Sequence, residues 1–125
     1  MSGRVLLAED DAPMRLLLAE VLREDGYEVV EATNGRELFW LLERAEQHGP
    51  IDLVLSDLCL DCASGIELVA ALRGARVRAG VMLMTGFTST ETLDLAKIYG
   101  VEVLDKPFTM DALRAAVRTA RGAPS

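Results

Sequence analysis

Four apolar runs in this chain end in polar residues of the kinds that handle phosphate and hard metal ions. "RVLLA" leads into Glu9-Asp10-Asp11, and "DLVL" into Ser56-Asp57. "VMLM" leads into Thr85-Gly86, and "VEVL" into Asp105-Lys106-Pro107. Carboxylates gathered in one pocket repel: a unit-charge pair about 4 Å apart costs roughly 4 kcal/mol at an effective dielectric near 20. Only a cation makes such a cluster tolerable. Hard oxygen donors with no histidine nearby favour Mg²⁺ over zinc or copper, and Mg²⁺ often shares its shell with phosphate. Lys106 would add a point charge and Thr85 a hydroxyl donor. An acid to attack, a cation to neutralise, and a lysine and threonine to hold oxygens make a phosphoryl-transfer site.

Each residue taken singly has a plainer explanation. Glu9, Asp10 and Asp11 can be loop acids at a helix start, where carboxylates cap orphan N–H groups. Asp57 can cap the turn after its strand, Thr85 can be a turn hydroxyl, and Lys-Pro is a common loop dipeptide. The combination of all four at strand C-termini, in this order, is what points to chemistry. A second motif competes within the same stretch. Cys59-Leu60-Asp61-Cys62 has the C-x-x-C spacing of redox and metal sites, and a helix N-terminus would lower a thiol pKa. Zinc needs about four ligands, and the single histidine, His48, lies before Gly49-Pro50, well away in sequence.

These residues need a scaffold, and the chain alternates short apolar runs with longer amphipathic ones. Strands are expected over 4–8, 27–32, 52–56, 79–85 and 101–105. Helices are expected from Asp11 or Ala12 to Gly26, then over 34–47, 64–74, 89–99 and 110–120. Met14, Leu17, Leu18, Val21 and Leu22 would face inward on the first helix. Leu38, Phe39, Leu42 and Ala45 would do so on the second, with Trp40 on the opposite side. Strands that read as continuous apolar runs suit a parallel sheet covered on both faces. Right-handed crossovers make it doubly wound, with ligands beyond the strand C-termini at the switch point. The second strand ends in Glu31-Ala32-Thr33, which offers the site nothing obvious.

The chain has 125 residues, enough for one domain with a real core. Its net charge of −7 would repel nucleic-acid phosphates, so no direct nucleic-acid partner is expected. No apolar run approaches the roughly 20 residues of a membrane span. There is no signal-peptide pattern, so a cytoplasmic location with free cysteines is the expectation.

The segments "VLLAEDDAPMR", "GYEVVEATNGRE", "DLVLSDL", "SGIELVAALR", "VMLMTGF" and "LDKPF" together resemble the receiver domain of bacterial two-component response regulators. The likeness runs from residue 4 to about 120. It implies an α/β, flavodoxin-like fold: a doubly wound five-stranded parallel sheet in order 2-1-3-4-5 with five helices. The receiver would occupy 1–121, and 122–125 would be a short tail. It implies that Asp57 accepts a phosphoryl group from the phosphohistidine of a histidine kinase or phosphotransfer protein. Glu9, Asp10 and Asp57 would hold Mg²⁺ with the backbone carbonyl of Cys59, Asp10 being the more direct ligand of the acidic pair. Thr85 would hydrogen-bond the phosphoryl group, Lys106 would pair with it, and the Lys106–Pro107 peptide would be cis. Such a protein is a self-phosphorylating switch more than a turnover enzyme. Its partner would dock on the face made by the helix over 89–99, the strand over 101–105 and the helix over 110–120.

The sequence departs from the family pattern in places. Asp61 stands where the family usually has proline, followed by an atypical Cys62-Ala63-Ser64. Val103 replaces an aromatic that normally swings inward when the threonine moves, so this chain lacks the simplest version of that switch. Cys59 and Phe87 should tune the lifetime of the phosphoryl group, since neither positions a water well. Gly86 would leave an open approach for a partner histidine, or be a plain turn glycine. "LMTGF" and "LDKPF" look like receivers attached to hybrid histidine kinases, whereas the Met1 start suits a stand-alone or N-terminal receiver. The alternatives are an unphosphorylated pseudo-receiver acting as an interaction module, a C-x-x-C redox protein, or a flavodoxin-like cofactor binder using "TGFTST".

Overall fold

Val5, Leu6, Leu7 and Ala8 have no exposed surface at all, so their strand must be covered on both faces. The structure, a computed structural model, describes residues 3–48, 50–58, 70–71, 79–86 and 89–122. The elements are β1 (Arg4–Ala8), α1 (Ala12–Glu24), β2 (Glu28–Ala32), α2 (Gly35–His48), β3 (Leu53–Asp57) and β4 (Gly80–Thr85). They continue with α3 (Thr90–Tyr99), β5 (Glu102–Asp105) and α4 (Met110–Gly122). All five strands are parallel, in the order β2-β1-β3-β4-β5. This is the doubly wound, flavodoxin-like sheet that the sequence led us to expect. Four helices stand among the described residues. The further helix expected over 64–74 lies outside them except for Ala70 and Ala71, which are helical.

Alternation along the strands sorts the core into two layers. Val5, Leu7, Leu53, Leu55, Met82 and Met84 point to the side covered by α1 and α4, meeting Leu18, Leu22, Leu113 and Val117. Leu6, Ala8, Val54, Val81 and Leu83 point to the other side, meeting Leu38 of α2 and Ala96 of α3. Each leucine buried this fully contributes roughly 1.5–3 kcal/mol over its exposed state. Phe39 and Leu42 pack partly against the second layer, as does Val103. Leu17 departs from expectation. It is 44% exposed beside Leu16, while Leu18, Ala19, Val21 and Leu22 take the inward face of α1.

Local chemistry sets the ends of these elements. Asp11 caps α1 by accepting from the Met14 N–H at 3.0 Å, and Pro13 sits in the first turn, where no N–H is missed. Gly26, at φ 92°, turns the chain out of α1 into β2. Asn34 caps α2 through the Glu37 N–H at 2.8 Å, while the Glu37 carboxylate accepts from the Thr33 N–H at 3.2 Å. Trp40 lies on the exposed side of α2, with the Arg44 guanidinium 3.9 Å from its ring centroid. Among the described residues no helix is long and apolar enough to cross a membrane.

Candidate functional site

Parallel strands deliver all their C-termini to one edge of the sheet. Ala8 lies in register with Ser56, Asp57 with Met84, and Thr85 with Asp105. Glu9 therefore leaves β1 beside the end of β3, and Lys106 leaves β5 beside the end of β4. Asp57 is the last residue of β3 rather than the first beyond it, which carries its carboxylate to the rim while its backbone stays in the sheet. Glu9, Asp57 and Thr85 are buried, Asp10 is exposed, and Lys106 is partly exposed.

These side chains converge. Carboxylate oxygens of Glu9, Asp10 and Asp57 all lie within 4.8 Å of one another. Lys106 Nζ donates to Asp57 Oδ2 at 2.9 Å and to Glu9 Oε1 at 3.3 Å, although Lys106 and Glu9 are 97 positions apart. The other Glu9 oxygen accepts from the Asp11 N–H at 3.2 Å. Backbone bonds hold the rim together: the Lys106 N–H donates to the Thr85 carbonyl at 2.6 Å, and the Leu58 N–H to the Met84 carbonyl at 2.8 Å. The Lys106–Pro107 peptide is cis.

Electrostatics follows from this crowding. Burial pushes the Glu9 carboxyl up to about 7. The charge of Asp57 and a side-chain hydrogen bond with it act in the same direction. The Asp11 N–H and Lys106 pull back without prevailing. For Lys106, burial acts downward, but the Asp57 hydrogen bond and the charges of Asp57 and Glu9 outweigh it, so the ammonium sits above its ordinary value. One ammonium thus faces three carboxyl groups, two of them buried. The cluster is short of positive charge, and its donors are all hard oxygens, which is the condition that a small divalent cation relieves.

Of the residues expected here, Glu9, Asp10, Asp57, Thr85 and Lys106 share this edge of the sheet. A Cβ placed on Gly86 would meet nothing within 4 Å, so the surface beside Thr85 is open. Cys59, Cys62 and Phe87 lie outside the described residues, as does Asp61 with the atypical segment after it. Two further residues join the site: Arg15, to which the sequence assigns no role, and Glu31, from the strand end that offers nothing obvious. Arg15 Nη1 donates to the Glu9 carbonyl at 3.0 Å, and its Nε pairs with Glu31 Oε1 at 3.3 Å. The end of β2 is therefore not bland. The available signal was an arginine one turn into the helix that follows the acids, close enough to reach back.

The chain is similar to several known proteins. The chain is 39% identical over 119 residues to the transcriptional regulatory protein PdtaR of Mycobacterium tuberculosis, spanning 94% of this chain but only 56% of that protein. It is 28% identical over 119 residues to sporulation initiation phosphotransferase F of Bacillus subtilis, covering 94% and 93% of the two chains. Among solved structures, the receiver domain of the hybrid histidine kinase CckA superposes with a TM-score of 0.74 at 34% identity, over 95% of this chain and 99% of that one. A protein-family model for the response regulator receiver domain matches residues 5–118. With that match, the fold and the carboxylate–lysine edge agreeing, the chain belongs to the response regulator receiver family.

Proposed function

We propose that this receiver accepts a phosphoryl group on Asp57 from the phosphohistidine of a histidine kinase or phosphotransfer protein, with Mg²⁺ held by Glu9, Asp10 and Asp57. The observation that carries the reading is the Lys106–Asp57 contact at 2.9 Å inside a three-carboxylate cluster. An Asp57 carboxylate oxygen attacks phosphorus, forming a P–O bond. The P–N bond to the imidazole breaks, and its electron pair leaves with the imidazole nitrogen. Lys106 already touches the acceptor, so its ammonium is in place to meet a phosphoryl oxygen as negative charge shifts. Thr85, buried at the end of β4, supplies a hydroxyl at the same rim. A bound Mg²⁺ would supply charge neutralisation for the transferring oxygens. The Cys59 carbonyl would complete its protein ligands. Hydrolysis of the acyl phosphate then resets the switch.

The physiological outcome is altered contact with a downstream protein through the face formed by α3, β5 and α4, in a cytoplasmic setting. Arg114 on α4 is not a loose surface charge in that face. It pairs with Asp25 at 3.3 Å and with Glu24 at 3.5 Å, tying α4 to the end of α1.

The test is acetyl phosphate with Mg²⁺, read by intact mass. We expect a gain of one phosphoryl group in the wild type and none in Asp57→Ala. A wild type that gains nothing under these conditions would return the chain to the pseudo-receiver reading. Decay of the phosphorylated form should be slow, because neither Cys59 nor Phe87 positions a water well. Cys59→Asn and Phe87→Glu should each speed it several-fold; decay unchanged from the wild type in both variants would remove that role. Gly86 keeps the approach clear for the donor imidazole.

A further inference from the structure

Glu9 is fixed at four points. Its N–H donates to the Ala32 carbonyl of β2 at 3.1 Å. Its carboxylate accepts from the Asp11 N–H at 3.2 Å and from Lys106 at 3.3 Å. Its carbonyl accepts from Arg15 Nη1 at 3.0 Å. The last contact comes from a guanidinium that is itself clamped. Arg15 Nε sits 3.3 Å from Glu31 Oε1, with the Arg15 side chain 15% exposed. The second Glu31 oxygen is held by Arg23 Nη2 at 3.2 Å, and that same nitrogen donates to the Val29 carbonyl at 3.0 Å.

The planar fork of Arg15 thus spans from β2 to the backbone of the residue that begins the acidic stretch. A lysine ammonium could make one of these contacts but could not bridge both in a fixed geometry. Glu9 is 1% exposed, so its carbonyl without this donor would be a buried acceptor lacking a partner. The connection from β1 to α1 would shift to find one, and Asp10 is the next residue along it.

We propose that Arg15 is a positioning residue for the cation-binding acids: through the Glu9 carbonyl, and braced by Glu31, it fixes where Glu9 and Asp10 present their oxygens. This rests on the reading above that those acids hold Mg²⁺. Arg15 does not act through its charge. A nearby cation acting only by Coulomb repulsion weakens Mg²⁺ binding, so its removal would tighten the site. A positioning arginine gives the opposite sign.

The experiment is a calorimetric titration of Mg²⁺ into the unphosphorylated full chain, comparing wild type with Arg15→Met, Arg15→Lys and Arg23→Met. We expect Arg15→Met to weaken binding by about tenfold, the lower end of what loss of an outer-shell partner costs a metal site. Arg15→Lys, which keeps the charge, should fall between wild type and Arg15→Met. Arg23→Met removes the other guanidinium on Glu31 without touching Glu9, and should cost clearly less than Arg15→Met. In acetyl phosphate labelling, Arg15→Met should need proportionately more Mg²⁺ for half-maximal rate yet recover the wild-type rate at saturation.

Unchanged or tighter binding in Arg15→Met overturns the inference, as does an equal loss in Arg23→Met. Should Arg15→Met not fold, an Arg15→Lys variant as tight as wild type overturns it. A wild type that binds Mg²⁺ but takes no phosphoryl group would sink the phosphoacceptor reading and leave the Arg15 inference standing. A wild type that binds no Mg²⁺ removes both, and that result is visible before any variant is made.

Discussion

A carboxyl group that keeps its proton up to about pH 7 reports on the charges around it. In metal-free protein, Glu9 is pushed up to about 7 by burial and by Asp57. Its folded-state value thus lies above its unfolded one, and between the two the native state binds the extra proton. Stability drawn from Glu9 therefore falls as pH rises from its ordinary carboxylate range towards 7. The loss is at most about 3 kcal/mol, since each pKa unit is worth about 1.4 kcal/mol. Urea unfolding in EDTA at pH 5 and pH 7.5, compared with Glu9→Gln, measures it. The wild type should lose ground to the variant at the higher pH, and saturating Mg²⁺ should shrink the difference. Asp57, Thr85 and Lys106 were legible in the sequence because residue type and strand end coincide. Arg15 was not, because an arginine in a first helical turn normally faces water. Its place one turn after the acids is a hint, and the register that sets Ala8 beside Ala32 shows what its guanidinium reaches.

At the scale of elements, hydrophobic period located the five strands and the four helices of the described residues to within a residue or two, and the caps explain the agreement. The three consecutive leucines at 16–18 mark where periodicity fails. It requires one of them to face the core but cannot choose which, and the packing of α1 on β1 and β2 buries Leu18 while leaving Leu17 half exposed. Close approach between elements is equally invisible in the sequence. A Cβ on Gly80 would stand 2.8 Å from the Ala120 carbonyl oxygen, so the start of β4 and the last turns of α4 meet backbone to backbone. Gly80→Ala should force them apart and cost about 1–3 kcal/mol, the range for overpacking a filled contact. Thermal unfolding would show a lowered midpoint. Gly86→Ala, with nothing within 4 Å of the added methyl, is the control that should leave the midpoint in place.

The molecule as a whole joins two layers of core to one charged rim. The layers were predictable because β1, β3 and β4 each carry an unbroken apolar run, over 5–8, 53–55 and 81–84, which only a sheet covered on both faces accommodates. A rim that holds Mg²⁺ would couple binding of the ion to stability. Mg²⁺ held by the native state alone should stabilise it by about 1.4 kcal/mol at tenfold excess over its dissociation constant, roughly 3–6 °C in a domain of this size. Scanning calorimetry with and without the ion checks this. Asp10→Asn should lose most of the shift and Glu43→Gln, on the exposed side of α2, none of it.

The link from Lys106 to Glu9 also sets a timetable for synthesis. The acids just after β1 and at the end of β3 leave the ribosome long before the residue that offsets them. Until β5 docks against β4, that corner of a growing chain carries bare negative charge. Readiness for signalling is therefore acquired late, when the final strand comes home.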